Sequence, residues 1–277
     1  MKPPRSLLRH PPDRRTLLLL SLLSVCLFLG WLTGFLLLLV PCTILCITAC
    51  SAKHNHIHCR TFHRRLPNRL LDFWLTILTG STTTGIRIAH QIRHHGQNQS
   101  PEDFVRTSQV SSLPPFRALL QFVPCVIAAS WRQNSHDLTP KHRLPLRRAR
   151  RQEALVLWAV IVTGLLTDPL RLFLFPTLPW IFSQWFLIAV NLPQHDGCDP
   201  SSALAHSRNS IGPITNWFLL NNGYHTAHHL APGRHWSRLP AWHNDTLTSA
   251  IPPELNCPSF ASFWISWWRT RQSQFPV

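Results

Sequence analysis

The chain has 277 residues, with 27 Lys and Arg against 11 Asp and Glu, a formal charge of +16 when its 17 histidines are counted neutral. Basicity of this size points to an anionic surface or partner, but 45% of the residues are hydrophobic and much of that apolar content is concentrated in long runs, which argues against a nucleic-acid-binding protein. The eight cysteines include no CxxC pair, which excludes a cysteine-type structural zinc module.

A basic leader, residues 1–15, holds Lys2, Arg5, Arg9, Arg14 and Arg15. From Thr16 to Cys50 there is no charged residue, a run longer than the ~7–15 residues of a signal-peptide core and longer than the ~20 of one untilted span. Gly30 to Gly34 is a small-residue break where the chain can reverse, so residues 16–50 read as a transmembrane hairpin, one long tilted helix being the alternative. Cys42, Cys46 and Cys50 share a helix face there and read as small packing groups.

Further along, Leu70 to Leu78 with Trp74 reads as interfacial, and Leu119 to Trp131, broken at Pro124, as amphipathic or half-inserted. Two weaker spans run from Ala154 to Phe175 and from Pro179 to Leu192, with Asp168 and Arg171 marking a helix end. His235-Trp236 and the terminal Trp264, Trp267 and Trp268 read as interfacial anchors. Basic clusters before Thr16, at Arg60 to Arg69 and at Lys141 to Arg151 belong on the cytoplasmic side. The expected architecture is mainly α: an integral membrane protein of about four spans with its histidine-rich segments on the cytoplasmic face. Residues 51–240 form the histidine-rich region, including the later spans, and 241–277 a tail.

The histidines carry the chemistry. His54-Asn55-His56-Ile57-His58 is an HxxxH pair, His90 to His95 is HxxxHH, and His225-Thr226-Ala227-His228-His229 is HxxHH. Between them Asn191 stands four residues before His195. Residues three or four apart share a helix face, so His225 and His228 are expected on one metal while His229 turns toward another. The candidate ligands by spacing are His54, His58, His90, His94, His95, His195, His225, His228 and His229. That is about twice what one four-coordinate site needs, so two adjacent metals fit better. Neutral imidazole suits iron, copper, nickel and zinc alike. Glu102, Asp103, Asp196 and Asp199 stand close in sequence and are candidates to hold the far ring nitrogens. His56, His63, His206 and His235 fall outside the pattern.

The three boxes, with Asn191-x-x-x-His195 between them, resemble the histidine boxes of the membrane fatty acid desaturase and hydroxylase superfamily. The resemblance covers about residues 54–240. It implies a di-iron enzyme with its centre under a cytoplasmic helical cap and Asn191 as an additional metal-site residue, which uses dioxygen to attack an unactivated C–H bond of a lipid or acyl chain, with electrons from a ferredoxin-like or other redox partner. HxxxHH followed by Ser100-Pro101-Glu102-Asp103 is similar to the alkane hydroxylase branch, whereas Gly223-Tyr224-His225 and His229-Leu230-Ala231-Pro232 are more similar to acyl desaturases. Desaturation is the preferred reading and hydroxylation the alternative. A membrane protein that binds metal without catalysis is the reading from another class.

Overall fold

The computed structural model describes residues 6–132 and 140–275. Lys2 and Arg5 of the leader lie outside them, as do the side chains of 131–143, which include the first residues of the Lys141 to Arg151 cluster. The helices in chain order are α1 Asp13–Thr33, α2 Leu39–His58, α3 Arg65–Thr79, α4 Thr83–Ile86, α5 His95–Gln97, α6 Pro115–Arg132, α7 Pro140–Thr167, α8 Pro169–Leu172, α9 Leu178–His195, α10 Pro213–Phe218, α11 His225–Leu230, α12 Leu239–Trp242 and α13 Phe260–Gln272. Asn209–Ser210 (β1) and Asn256–Cys257 (β2) pair in parallel. The chain divides into two units, Met1–Arg87 with Thr139–Gln184, and Ile88–Leu138 with Trp185–Val277.

In the first unit α1 ends at Gly34, whose φ of 69° lets its N–H reach back to the Gly30 carbonyl at 2.8 Å. A left-handed residue here terminates the helix without a Cβ clash. A short turn, Leu36–Leu38, then leads into α2, which packs along α1. Leu18, Leu22, Phe28, Leu32, Leu37 and Val40 point outward and are exposed. Such a continuous apolar exterior matches hydrocarbon rather than water. Among the described residues three helical stretches are long and apolar enough to cross a membrane, Asp13–Thr33, Leu36–His58 and Pro169–His195.

Ala154 to Phe175 is not one continuous helix. α7 stops at Thr167, and the Asp168 carboxylate caps α8 by accepting the Arg171 N–H at 3.0 Å. Pro169 has no N–H to continue the α7 ladder and disfavours helical geometry at Asp168, which is extended, and the Asp168 cap then meets an amide in the first turn of the new helix. The stretch that follows kinks at Phe175 (φ −134°, ψ 94°), the residue before Pro176, where proline sterics disfavour helical geometry.

Two buried charges of this unit, Glu153 and Lys53, have close partners. Glu153, fully buried, accepts from Arg69 at 2.5 Å and from the Thr84 N–H and hydroxyl, both at 2.7 Å. These bonds tie α3, α4 and α7 together. Lys53 on α2 donates to Thr79 Oγ1 (2.5 Å) and to the Ser81 carbonyl (2.9 Å) and hydroxyl (2.7 Å). His56 is turned to Thr61 and Arg60 at 2.9 and 2.8 Å, a structural role. All eight cysteines are free.

The second unit is cored by Val110, Ala118, Phe122, Val126, Leu192 and Trp267, with a further cluster of Tyr224, Ala227, Leu239, Leu247, Ile251 and Leu255. α6 runs unbroken through Pro124. Burial of Ala118, Phe122 and Val126 on one stripe offsets the ~3 kcal/mol that an interior proline costs. Trp267 and Trp236 are core residues rather than interfacial anchors. Trp267 is fully buried and donates Nε1–H to Asp196 at 2.8 Å, while Trp236 and His235 are both buried. The periodicity of α13 places Phe263 and Trp267 on its inner face and leaves Trp268 partly outside.

Candidate metal centre

The second unit gathers seven of the predicted histidines into two groups, His90, His95 and His228, and His94, His195, His225 and His229. Within each group the nearest ring nitrogens lie within 4.8 Å of one another. Local winding decides which residue joins which group. Arg87–His94 is a π-helix, whose wider turn aligns residues five apart. His90 Nε2 therefore lies 3.0 Å from His95 Nε2, and His94 is released to the other group.

α11 makes a second such division, opposite to the one expected. His225 and His229, at i and i+4, share a group, with ring centroids 4.5 Å apart. His228 turns instead to His95, Nε2 to Nε2 at 3.0 Å. Both i+3 and i+4 neighbours lie on one helix face, so spacing alone does not choose between them. The choice is made by how α11 is anchored. Asn216 accepts the Gly223 N–H at 3.0 Å and donates to the Ser210 carbonyl at 2.8 Å, while Asn209 Oδ1 accepts the Thr226 N–H at 2.8 Å. A Cβ on Gly223 would lie 2.1 Å from the Ser210 carbonyl oxygen, so the turn closes only around glycine.

In the four-histidine group, hydrogen bonds to Nδ1 fix two of the tautomers. His94 Nδ1 lies 2.9 Å from Asp103 Oδ2, with both side chains fully buried. His195 Nδ1 lies 3.1 Å from the His206 carbonyl. A carboxylate and a carbonyl can only accept, so each Nδ1 carries the proton and each Nε2 presents a lone pair. Asp103 also accepts the Gln99 and Val105 N–H groups, each at 3.0 Å. Burial pushes its carboxyl up, but His94 and these amides together hold it below the ordinary range. Burial first, and then the neighbouring histidines, hold His225 and His229 well below the usual imidazole range. They are neutral, the form that ligates metals.

These donors fit a metal ion. The Nε2 atoms of His94 and His229 are buried without hydrogen-bond partners, a cost of about 1–3 kcal/mol each unless something meets the lone pair. His195 Nε2 and His225 Nε2 are 2.9 Å apart. This is a hydrogen-bond distance, and it brings the two nitrogens together where one ion could be held by both.

The remaining predicted residues are placed as follows. His54 and His58 belong to the first unit, one turn apart on α2 with ring centroids separated by 5.1 Å. Asn191 sits one turn before His195 on α9 and donates to the Leu187 carbonyl at 2.8 Å. Of the four nearby carboxylates Asp103 bonds a candidate ligand, His94. Asp196 pairs with Arg271 at 2.5 Å, and Glu102 and Asp199 bond Ser100 and Ser201 locally at the surface. His206, outside every box, lies against the second group with its ring centroid 5.2 Å from that of His229. No spacing signal marked it.

Fold and site together define a helical membrane protein with a buried polyhistidine centre. The chain belongs to the fatty acid desaturase family, its residues 29–260 matching the family described as Fatty acid desaturase. No curated protein matches the chain.

Proposed function

We propose that the protein is a membrane-bound di-iron oxidase that uses dioxygen to desaturate an acyl chain in lipid metabolism. The observation that carries this reading is the His94, His195, His225 and His229 group, three buried imidazoles and a half-buried one with neither cysteine nor carboxylate among the donors. Zinc built for structure favours cysteine, whereas an all-imidazole set with open positions suits a redox metal. Two bound irons would supply dioxygen activation and hydrogen abstraction. The chain's own contribution is to present lone pairs, fix tautomers through Asp103 and the His206 carbonyl, and keep water out by burial. His90, His95 and His228 are the proposed ligands of the second iron, and the box pattern adds His54 and His58 as candidate ligands and Asn191 as an additional metal-site residue.

Four crossings are proposed, the apolar C-terminal half of α7 serving as the crossing between α2 and α9. An even number places the Arg60 to Arg69 cluster, the Lys141 to Arg151 cluster and His195 on one side, the cytoplasmic one. An acidic ferredoxin-like donor would be steered to that basic face. Hydroxylation is the second reading, favoured by Ser100 to Asp103 after the HxxxHH box. The two outcomes share hydrogen abstraction and differ in whether the substrate radical loses a second hydrogen or captures oxygen.

The test is iron content of the purified protein in detergent beside His228→Ala, with mass spectrometry of lipids from expressing cells. About two irons per chain, depleted in the variant, with a product lighter by two hydrogens, supports desaturation. A product heavier by one oxygen moves the assignment to hydroxylation. Zinc, or no metal after iron-replete expression, favours a metal-handling protein instead.

A further inference from the structure

His206 lies outside the box pattern, yet its ring carries the marks of the ligands beside it. Nδ1 stands 3.0 Å from the Ala203 carbonyl and 3.2 Å from the Ser202 carbonyl. Carbonyls only accept, so Nδ1 holds the proton and Nε2 is left with a lone pair. That Nε2 is buried without a hydrogen-bond partner, as are those of His94 and His229, and the residue is only 6% exposed. A buried lone pair of this kind needs a cation or a donor to meet it. The ring centroid lies 5.2 Å from that of His229, close to the 4.9 and 5.1 Å that separate His94 and His195 from the same ring.

The four-histidine group also has room for a further donor. Non-haem iron and its neighbours in the first row take more than four donors, so four imidazoles leave a position open. We propose that His206 is a fifth nitrogen donor to the His94, His195, His225 and His229 site, drawn from the rim of the group when the ion binds. Residue 206 then serves the site twice. Its carbonyl fixes the His195 tautomer at 3.1 Å, and its imidazole supplies a ligand. This assignment rests on the reading of the group as a metal centre.

The full chain in detergent is stripped of metal and loaded with Co(II), whose visible d–d bands intensify as coordination number falls. Parent, His206→Gln and His206→Ala are compared. Both variants are expected to show altered, stronger bands and to release cobalt to a competing chelator at least about tenfold more readily. Added imidazole is expected to return the parent spectrum in His206→Ala, which a purely structural role would not allow. Should His206→Ala fail to fold, His206→Gln, of similar volume, carries the spectral test. A parent-like spectrum in folded, cobalt-loaded His206→Gln overturns the assignment, as does an altered His206→Ala spectrum that imidazole leaves untouched. A parent chain that takes up no cobalt overturns the metal-centre reading itself, and this inference with it, so the two failures are distinguishable.

Discussion

His94 depends on a single acceptor for its orientation. Asp103 takes the Nδ1 proton at 2.9 Å and is itself held by the Gln99 and Val105 amides, so ring, tautomer and loop are fixed together. Asp103→Ala leaves the Nδ1–H and both amides without an acceptor in a dry site. Metal affinity, read by chelator competition, is expected to fall about 10- to 100-fold, and less in Asp103→Asn, which keeps one acceptor oxygen. Parent-like affinity in a folded Asp103→Ala would show that His94 needs no anchor. Of the four carboxylates that stand near the boxes in sequence, proximity alone could not single out Asp103. Asp196 is equally close to a candidate ligand, but its partners Trp267 and Arg271 arrive from more than 70 residues away.

At the scale of elements, two joints hold the site's helices. The turn before α11 closes around Gly223, where a Cβ would overlap the Ser210 carbonyl. Gly223→Ala is expected to cost about 1–3 kcal/mol by overpacking and to shift His225 relative to its group. Thermal unfolding together with metal content checks both effects, and an unchanged midpoint would mean that the turn has slack. The other joint is Arg271 on α13, which meets Asp196 at 2.5 Å and donates to the Leu113 carbonyl at 3.0 Å while only 1% exposed. Removing one partner of a buried pair typically costs about 3–5 kcal/mol. Arg271→Ala should therefore lower the unfolding midpoint far more than Arg269→Ala on the outward face of the same helix. Equal effects would deny the pair a structural role.

For the whole molecule, burial of neutral histidines couples stability to pH. His225 and His229 titrate well below 6.5 when folded, whereas in the unfolded chain they take up protons near the ordinary ~6.5. Below that pH the unfolded state binds more protons, so stability is present above it and is lost as pH falls. Asp103, held below the ordinary carboxylate range, adds to the loss only at still lower pH. Metal-free protein is expected to unfold at lower denaturant concentration at pH 5.5 than at pH 7.5, with a weaker dependence in His225→Gln. A flat profile would mean that these rings are already charged or solvated in the folded state.

What the sequence determined by itself was the inventory. Uninterrupted apolar runs specify helices that hydrocarbon will solvate, because no other backbone arrangement satisfies its own amides there, and α1 and α2 follow directly. Box spacing named the histidines, since imidazoles at helical intervals are rare without a common target. Tertiary structure decided how they are shared. Spacing of three and four residues looks alike on a helix, and only the π-wound turn and the Asn216 and Asn209 anchors send His94 and His229 one way and His95 and His228 the other. His206 and Asp103 acquire their roles in the same way. A hydrogen bond that fixes a tautomer, or a lone pair left bare by burial, depends on what long-range packing brings alongside, which local pattern does not encode.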